Sequence, residues 1–149
     1  MDQKQQYSTF WVAGLYFGVP VRGVQEVLRY QEMTSVPLSP ETVQGLINLR
    51  GQIVTAIDMR RRLGLPEREE GSLPMNVVLA EAGSGVSLLV DEIGDVLEVE
   101  EADFEQPPET LENRVRELIR GVYKLEGRLL LELDTERTVS PDASETMAA

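Results

Sequence analysis

Apolar residues in this chain fall in short runs, and nearly every run is closed by Gly, Pro or a charged turn. Tyr7 to Val12 is aromatic and β-branched, Ala13-Gly14 can reverse it, and Leu15 to Val19 returns before Pro20 stops the ladder. Val24, Val27 and Leu28 alternate with polar residues as in a strand, although a short helix fits the same spacing. Val36-Pro-Leu-Ser-Pro40 is an irregular connection, because each Pro lacks a donor and restrains its predecessor. Leu46–Leu49 and Gln52–Asp58 form a hairpin about Arg50-Gly51, and Asp58 to Leu63 reads as one helical turn ended by Gly64 and Pro66. The charged stretch Pro66 to Pro74 reads as a linker between halves. Met75–Glu81 and Val86–Asp91 flank a turn at Ala82-Gly-Ser-Gly85. Val96–Glu100 is a further strand, Glu101–Asn113 an acidic loop with room for a short helix, and Arg120–Leu125 with Arg128–Asp134 a last hairpin. Beyond Thr138 the chain turns polar and small and is expected to fray.

Two of these blocks occur twice. Gly45 to Asp58 aligns without a gap on Gly121 to Asp134, with Gly45/Gly121, Leu49/Leu125, Gly51/Gly127 and Asp58/Asp134 identical. Val21 to Leu28 aligns on Val90 to Leu97, in the same order along the chain. A β unit used twice predicts an all-β fold of two five-stranded barrel lobes. Each lobe alone has a thin core, so the lobes should share apolar burial. The expected domain is residues 1–138, with 139–149 as a tail.

Composition removes several function classes. Without Cys or His, the chain lacks the thiolate nucleophile, the commonest general base and the commonest transition-metal ligands. No apolar run suits a membrane span, and Met1-Asp-Gln-Lys-Gln-Gln has no signal-peptide core, so cytoplasm is the default and direct membrane insertion is not expected. The net charge of −12 is uneven: residues 1–74 hold 8 basic and 8 acidic residues, residues 75–149 hold 6 and 18. Such a chain repels phosphate backbones, so nucleic acid is not an expected partner. The acidic half suits solubility, or two faces meeting two different partners. Glu98, Glu100, Glu101, Asp103 and Glu105 lack the spacing of a calcium loop and read as a solvated face; no cofactor or metal is expected.

What the two copies share serves the fold, which assigns Gly51, Gly127, Asp58 and Asp134 to turns and caps. Where they differ is the place to look for function. Arg50 stands where the copy has Glu126, so the turn does not require it. Unaided, Arg50 is a surface charge, a local pair with Glu26 or Asp58, or a donor to a partner's carboxylates and helix-end carbonyls. Arg60-Arg61-Arg62 reads as a solvated basic face rather than a binding patch. A carboxylate-dependent hydrolase is the alternative class, but no carboxylate pair stands out from the acidic background.

The run Val36-Pro37…Pro40…Gly45…Asn48-Leu49-Arg50-Gly51…Asp58-x-Arg60…Gly64 resembles the CheW family of chemotaxis coupling proteins, as do Val24-x-Glu26-Val27, Leu89-Val90-Asp91…Asp95-Val96 and Arg120-Gly121…Gly127-Arg128. Thr55-Ala56 and Met59 depart from the family's usual Pro-Val/Ile and Leu. The resemblance covers about residues 7–134 and implies two SH3-like sub-barrels and a non-catalytic adaptor. It implies that such a protein bridges the cytoplasmic tip of methyl-accepting chemoreceptors to the regulatory domain of a CheA-type histidine kinase, in membrane-associated receptor arrays. It places Arg50, Glu26, Val24 and Gly45 on the receptor-binding surface. No receiver domain is expected, which argues against a hybrid CheV-type relative. A coupling protein of a non-flagellar pathway, for pilus motility or gene control, is the alternative within the family.

Overall fold

The computed structural model describes residues 4–80 and 85–140. Among these residues eleven strands run β1 (Lys4–Val12), β2 (Leu15–Pro20), β3 (Val24–Leu28), β4 (Val43–Leu49), β5 (Gln52–Asp58), β6 (Met75–Leu79), β7 (Val86–Val90), β8 (Glu92–Glu100), β9 (Phe104–Glu105), β10 (Ile119–Leu125) and β11 (Arg128–Leu133). Short helices α1 (Met59–Arg62), α2 (Asn113–Glu117) and α3 (Thr135–Val139) punctuate them. The strands form two sheets, ordered β3-β6-β7-β5-β4 and β8-β1-β2-β11-β10-β9. The chain is all-β and two-lobed, as expected. Neither sheet closes into a barrel: among the described residues no backbone ladder joins its first strand to its last.

The duplication extends below the level of sequence. β5 pairs parallel to β7, and β11 pairs parallel to β2, in the same register. Each copy carries a bulge at the same two places, at Gln25 and Gly94 and at Gln44 and Arg120. An extra residue there bends the strand and raises its twist, which lets a short sheet curl over its own core. Even single hydrogen bonds recur: the Asp58 N–H donates to the Thr42 carbonyl at 2.8 Å, and the Asp134 N–H to the Leu118 carbonyl at 2.7 Å.

The halves are not divided where composition suggested. Pro66–Pro74 does not separate the lobes, since β6 and β7 beyond it pair with β3 and β5 before it. The first lobe is β3–β7. The second is β8–β11 completed by the N-terminal hairpin β1–β2, which takes the place that β6–β7 holds in the first. Strand pairing is a long-range choice, and a charged, Pro-flanked segment marks a surface loop without marking a lobe boundary. The turn expected at 82–85 lies largely outside the described residues, although β6 and β7 pair antiparallel. At the other end, Val139 stays in α3 and packs on the core, while residues 141–149 lie outside the described ones.

Burial follows this arrangement. The largest apolar cluster draws on both sheets: Phe10, Val12, Phe17 and Val19 meet Ile57, Met59, Val77, Leu79, Leu88 and Val90, with Val122, Leu131 and Leu133 from the far side. Phe10 and Phe17 stack within it, ring centroids 5.8 Å apart. Each lobe adds a smaller interior, aliphatic in the first (Ile47, Leu49, Val54, Val78, Leu89) and tyrosine-rich in the second (Tyr7, Tyr16, Tyr123). Ala56 and Met59, two departures from the family pattern, are fully buried core positions.

Candidate functional site

Arg50 and Gly51 form the two-residue loop between Leu49 and Gln52, with φ of 50° and 85°. Two left-handed residues give the turn whose twist matches a hairpin's strands. The Asn48 side-chain oxygen accepts the Gly51 N–H at 2.9 Å and fixes the tip. Glu126-Gly127 closes the copied hairpin with the same loop length, yet only Gly127, at φ 79°, is left-handed there. The two tips share a setting but differ in the handedness of their first residue.

From this tip the Arg50 guanidinium donates to the Glu26 carboxylate. Arg50 stays largely in solvent, its side chain 67% exposed, while Glu26 is at 23%. The hydrogen bond from Arg50 is the main reason the Glu26 carboxyl sits below its ordinary pKa, and Gln25 adds a weaker one at 3.3 Å. Glu26 belongs to β3 and Arg50 to the β4–β5 tip, at opposite ends of the sheet order. The ion pair therefore ties together two outer elements that no backbone ladder joins. The corresponding residues of the second lobe are Asp95 and Glu126, both acidic, so that tie exists in one lobe only.

Val24 and Gly45 are held by packing within the chain. The β3 ladder slips at Gln25, and Val24 packs on the shared core. Gly45 is buried, and a Cβ there would lie 2.7 Å from the Thr34 carbonyl, so its close approach serves the chain's own backbone. Gly121 repeats this, with the Glu105 carbonyl 2.6 Å from the Cβ position. Residues absent from the sequence-based set are Val27, outward on β3 at 41% exposure, and Ile53, one register step from the Arg50 tip at 58%. Strand alternation in Val24-Gln25-Glu26-Val27 could have found Val27 had the bulge at Gln25 been visible. Nothing in the sequence singles out Ile53.

Asp58 and Asp134 cap the helices that follow their hairpins: Asp58 Oδ1 accepts the Arg60 N–H at 2.9 Å, and Asp134 Oδ1 the Arg137 N–H at 3.1 Å. The basic run beside Asp58 is not a solvated face. Arg60 chelates Asp91 with Nη2 at 2.7 Å and Nε at 3.0 Å, Arg61 meets Glu67 at 2.8 Å, and Arg62 donates to the Thr138 and Arg137 carbonyls. Arg68, from the stretch that reads as a linker, reaches Asp91 at 3.0 Å and Asp58 at 3.4 Å. Asp91 also accepts the Ala13 N–H at 2.7 Å, which fastens the β1–β2 turn of the second lobe to the end of the first. Burial opposes the Asp91 charge, but hydrogen bonds from Arg60 and Ala13 and the nearby guanidinium charges prevail and hold its pKa below the usual range. No group of three or more acidic residues among the described ones is placed to hold a metal ion, and no described helix is long and apolar enough to cross a membrane.

Two copies of one β unit folded over a common apolar core, with an ion-paired hairpin tip held out into solvent, define a double-lobed β domain built to present surfaces. The chain belongs to the CheW family: the CheW-like domain profile matches residues 6–142. Chemotaxis protein CheW of Bacillus subtilis (strain 168) is 32% identical, the match spanning 95% of this chain and 91% of that one. Chemotaxis protein CheW of Rhizobium meliloti (strain 1021) is 34% identical over 88% and 86%. The crystal structure of scaffolding protein TtCheW from Thermoanaerobacter tengcongensis superposes with a TM-score of 0.77 at 26% identity, covering 88% of this chain and 89% of that one. The protein is thus a chemotaxis adaptor and not an enzyme.

Proposed function

We propose that this protein couples the cytoplasmic tips of chemoreceptors to the regulatory domain of a CheA-type histidine kinase, in the cytoplasm at receptor arrays. The observation that carries this reading is Arg50. It is exposed, left-handed at a tip whose copy is acidic, and oriented by Glu26 without being buried by it. Its remaining donors are free for carboxylates or helix-end carbonyls of a receptor hairpin. Val24 and Gly45 belong to the proposed surface as the residues that fix its strands, Val24 by packing β3 on the core and Gly45 by packing β4 closely on Thr34. Kinase contact falls to apolar positions on the outer strands, where Val27 of β3 and Val96 of β8 are exposed at 41% and 60%. Apolar contacts are little screened by salt, so kinase binding should weaken only slightly as ionic strength rises.

The test is reconstitution of receptor, kinase and this protein, with kinase activity as readout. Receptor-dependent stimulation should require the protein. Equal stimulation in its absence would sink the coupling role. A second reading, coupling in a non-flagellar pathway, is favoured by one observation: Protein FrzA of Myxococcus xanthus is 28% identical over 70% of this chain and 66% of that one. Assaying the same reconstitution with receptors of each candidate pathway distinguishes the two.

A further inference from the structure

The second lobe holds a cleft of about 570 Å³ that the adaptor role leaves unused. Tyr7 and Tyr123, both nearly fully buried, stand on its deep side with half-buried Glu132 and Phe104. Tyr7 and Tyr123 have ring centroids 5.4 Å apart, and Phe104 meets Tyr123 edge-on at the same distance. The fold does not demand this polar group. The superposition that relates the lobes puts Asn76, Ile47 and Ala56 at the places of Tyr7, Tyr123 and Glu132.

The hydrogen bonds of the cleft run one way. The Tyr7 hydroxyl donates to Glu132 Oε1 at 2.6 Å, so its 3.1 Å contact with the Tyr123 hydroxyl is made by the Tyr123 proton. Burial raises the pKa of both tyrosines, which remain neutral donors. Glu132 keeps unused acceptor capacity, since a carboxylate offers about four lone-pair sites. Among the described residues it meets no cation within ion-pairing distance. A half-buried carboxylate without a counter-ion is costly, and the other copy shows that Ala fits the position. Arg120 of the same cleft pairs with Asp134 at 3.9 Å and Arg22 is exposed, and neither forms an ion pair with Glu132. We infer that this cleft receives a lysine or arginine side chain of a protein partner, with Glu132 as its counter-ion and Phe104 against its stem.

The test is an amide-resolved NMR titration of the intact protein with three blocked tripeptides, glycine flanking a central Arg, Lys or Glu. The Arg or Lys peptide should give saturable shifts centred on Gln5, Tyr7, Phe104, Tyr123 and Glu132. In Glu132→Gln, which keeps an acceptor for the Tyr7 hydroxyl, the cationic peptide should bind at least about tenfold more weakly, the loss expected when a charge-assisted hydrogen bond is removed. The spectrum of the free variant reports whether it is folded. Should the Glu peptide shift these amides instead, the two arginines define an anion site and the inference is wrong. Non-saturable shifts, or equal binding to folded Glu132→Gln, overturn it as well. None of these outcomes depends on receptor or kinase coupling.

Discussion

The two lobes are one β unit used twice, yet they are held together differently. In the first, Arg50 and Glu26 join the outer elements of the sheet and the interior is aliphatic. In the second, Glu126 and Asp95 hold the matching places, a sixth strand, β9, is added, and a Tyr7–Tyr123–Glu132 chain lies inside. The shared features set the course of the backbone: bulges, parallel pairings, capping aspartates and tight glycines. The differences are charges and polar groups at solvent or in a cleft. A fold needs the former, and partners are recognised by the latter.

The comparison can be broken most severely at the joint. Asp91 aligns with Arg22, but only Asp91 is enclosed by guanidinium groups. Asp91→Ala removes the carboxylate that Arg60 and Arg68 share, leaving Arg68 with Asp58 and Arg60 with the Pro66 carbonyl, and should cost about 1–3 kcal/mol, as expected when a charged hydrogen-bond partner of part-buried groups is lost. Arg22→Ala should stay within about 0.5 kcal/mol. Equal effects in urea melts would show that the joint is not electrostatic. The pH dependence has a defined sign. The folded pKa of Asp91 is lowered, so its contribution is complete above the unfolded value near 3.9 and is lost as pH falls through the folded value. Asp91→Asn should therefore flatten the acid limb of stability against pH and leave the neutral slope unchanged.

Next come the paired glycines. Gly45→Ala and Gly121→Ala should each cost about 1–3 kcal/mol by overpacking against a neighbouring carbonyl. Gly121→Ala should be the worse, because its Cβ also meets the Phe104 ring. If only one of the two destabilises, the lobes are not equivalent at this contact.

Arg50→Glu sharpens the functional half of the comparison. Arg and Glu are both straight-chain residues, so the substitution adds no backbone cost at a φ of 50°. It sets a second carboxylate beside Glu26, as Glu126 and Asp95 stand in the second lobe. The melting temperature should drop by a few degrees at most, while receptor-dependent kinase stimulation falls sharply. A normal melt with full stimulation would make Arg50 a bystander. The smallest effect is expected of the reverse exchange, Glu126→Arg, which should alter neither melting nor stimulation. A loss of stimulation there would move the receptor surface to the second lobe.

The sequence by itself determined the repeated hairpin, its Gly and Asp positions, the all-β class and the oddity of Arg50. These are legible because a turn, a cap and a strand period are local, set by a few neighbouring residues. It did not show that Lys4–Pro20 completes the second lobe, because Tyr7, Trp11 and Tyr16 bear no side-chain likeness to Asn76, Ala80 and Gly85 at the matching places. Nor did it show that Arg60, Arg61, Arg62 and Arg68 turn inward. In sequence they read as solvated charge, and the folded chain gives them partners, Glu67 and Asp58 from nearby and Asp91 and the Thr138 carbonyl from far along the sequence. The packing of Val24 and Gly45 was likewise decided by tertiary structure, through the bulge at Gln25 and the approach of Thr34. Local chemistry chose the turns. Which strands pair, and which charges meet, was decided by the one arrangement that buries both lobes' apolar faces in a common core.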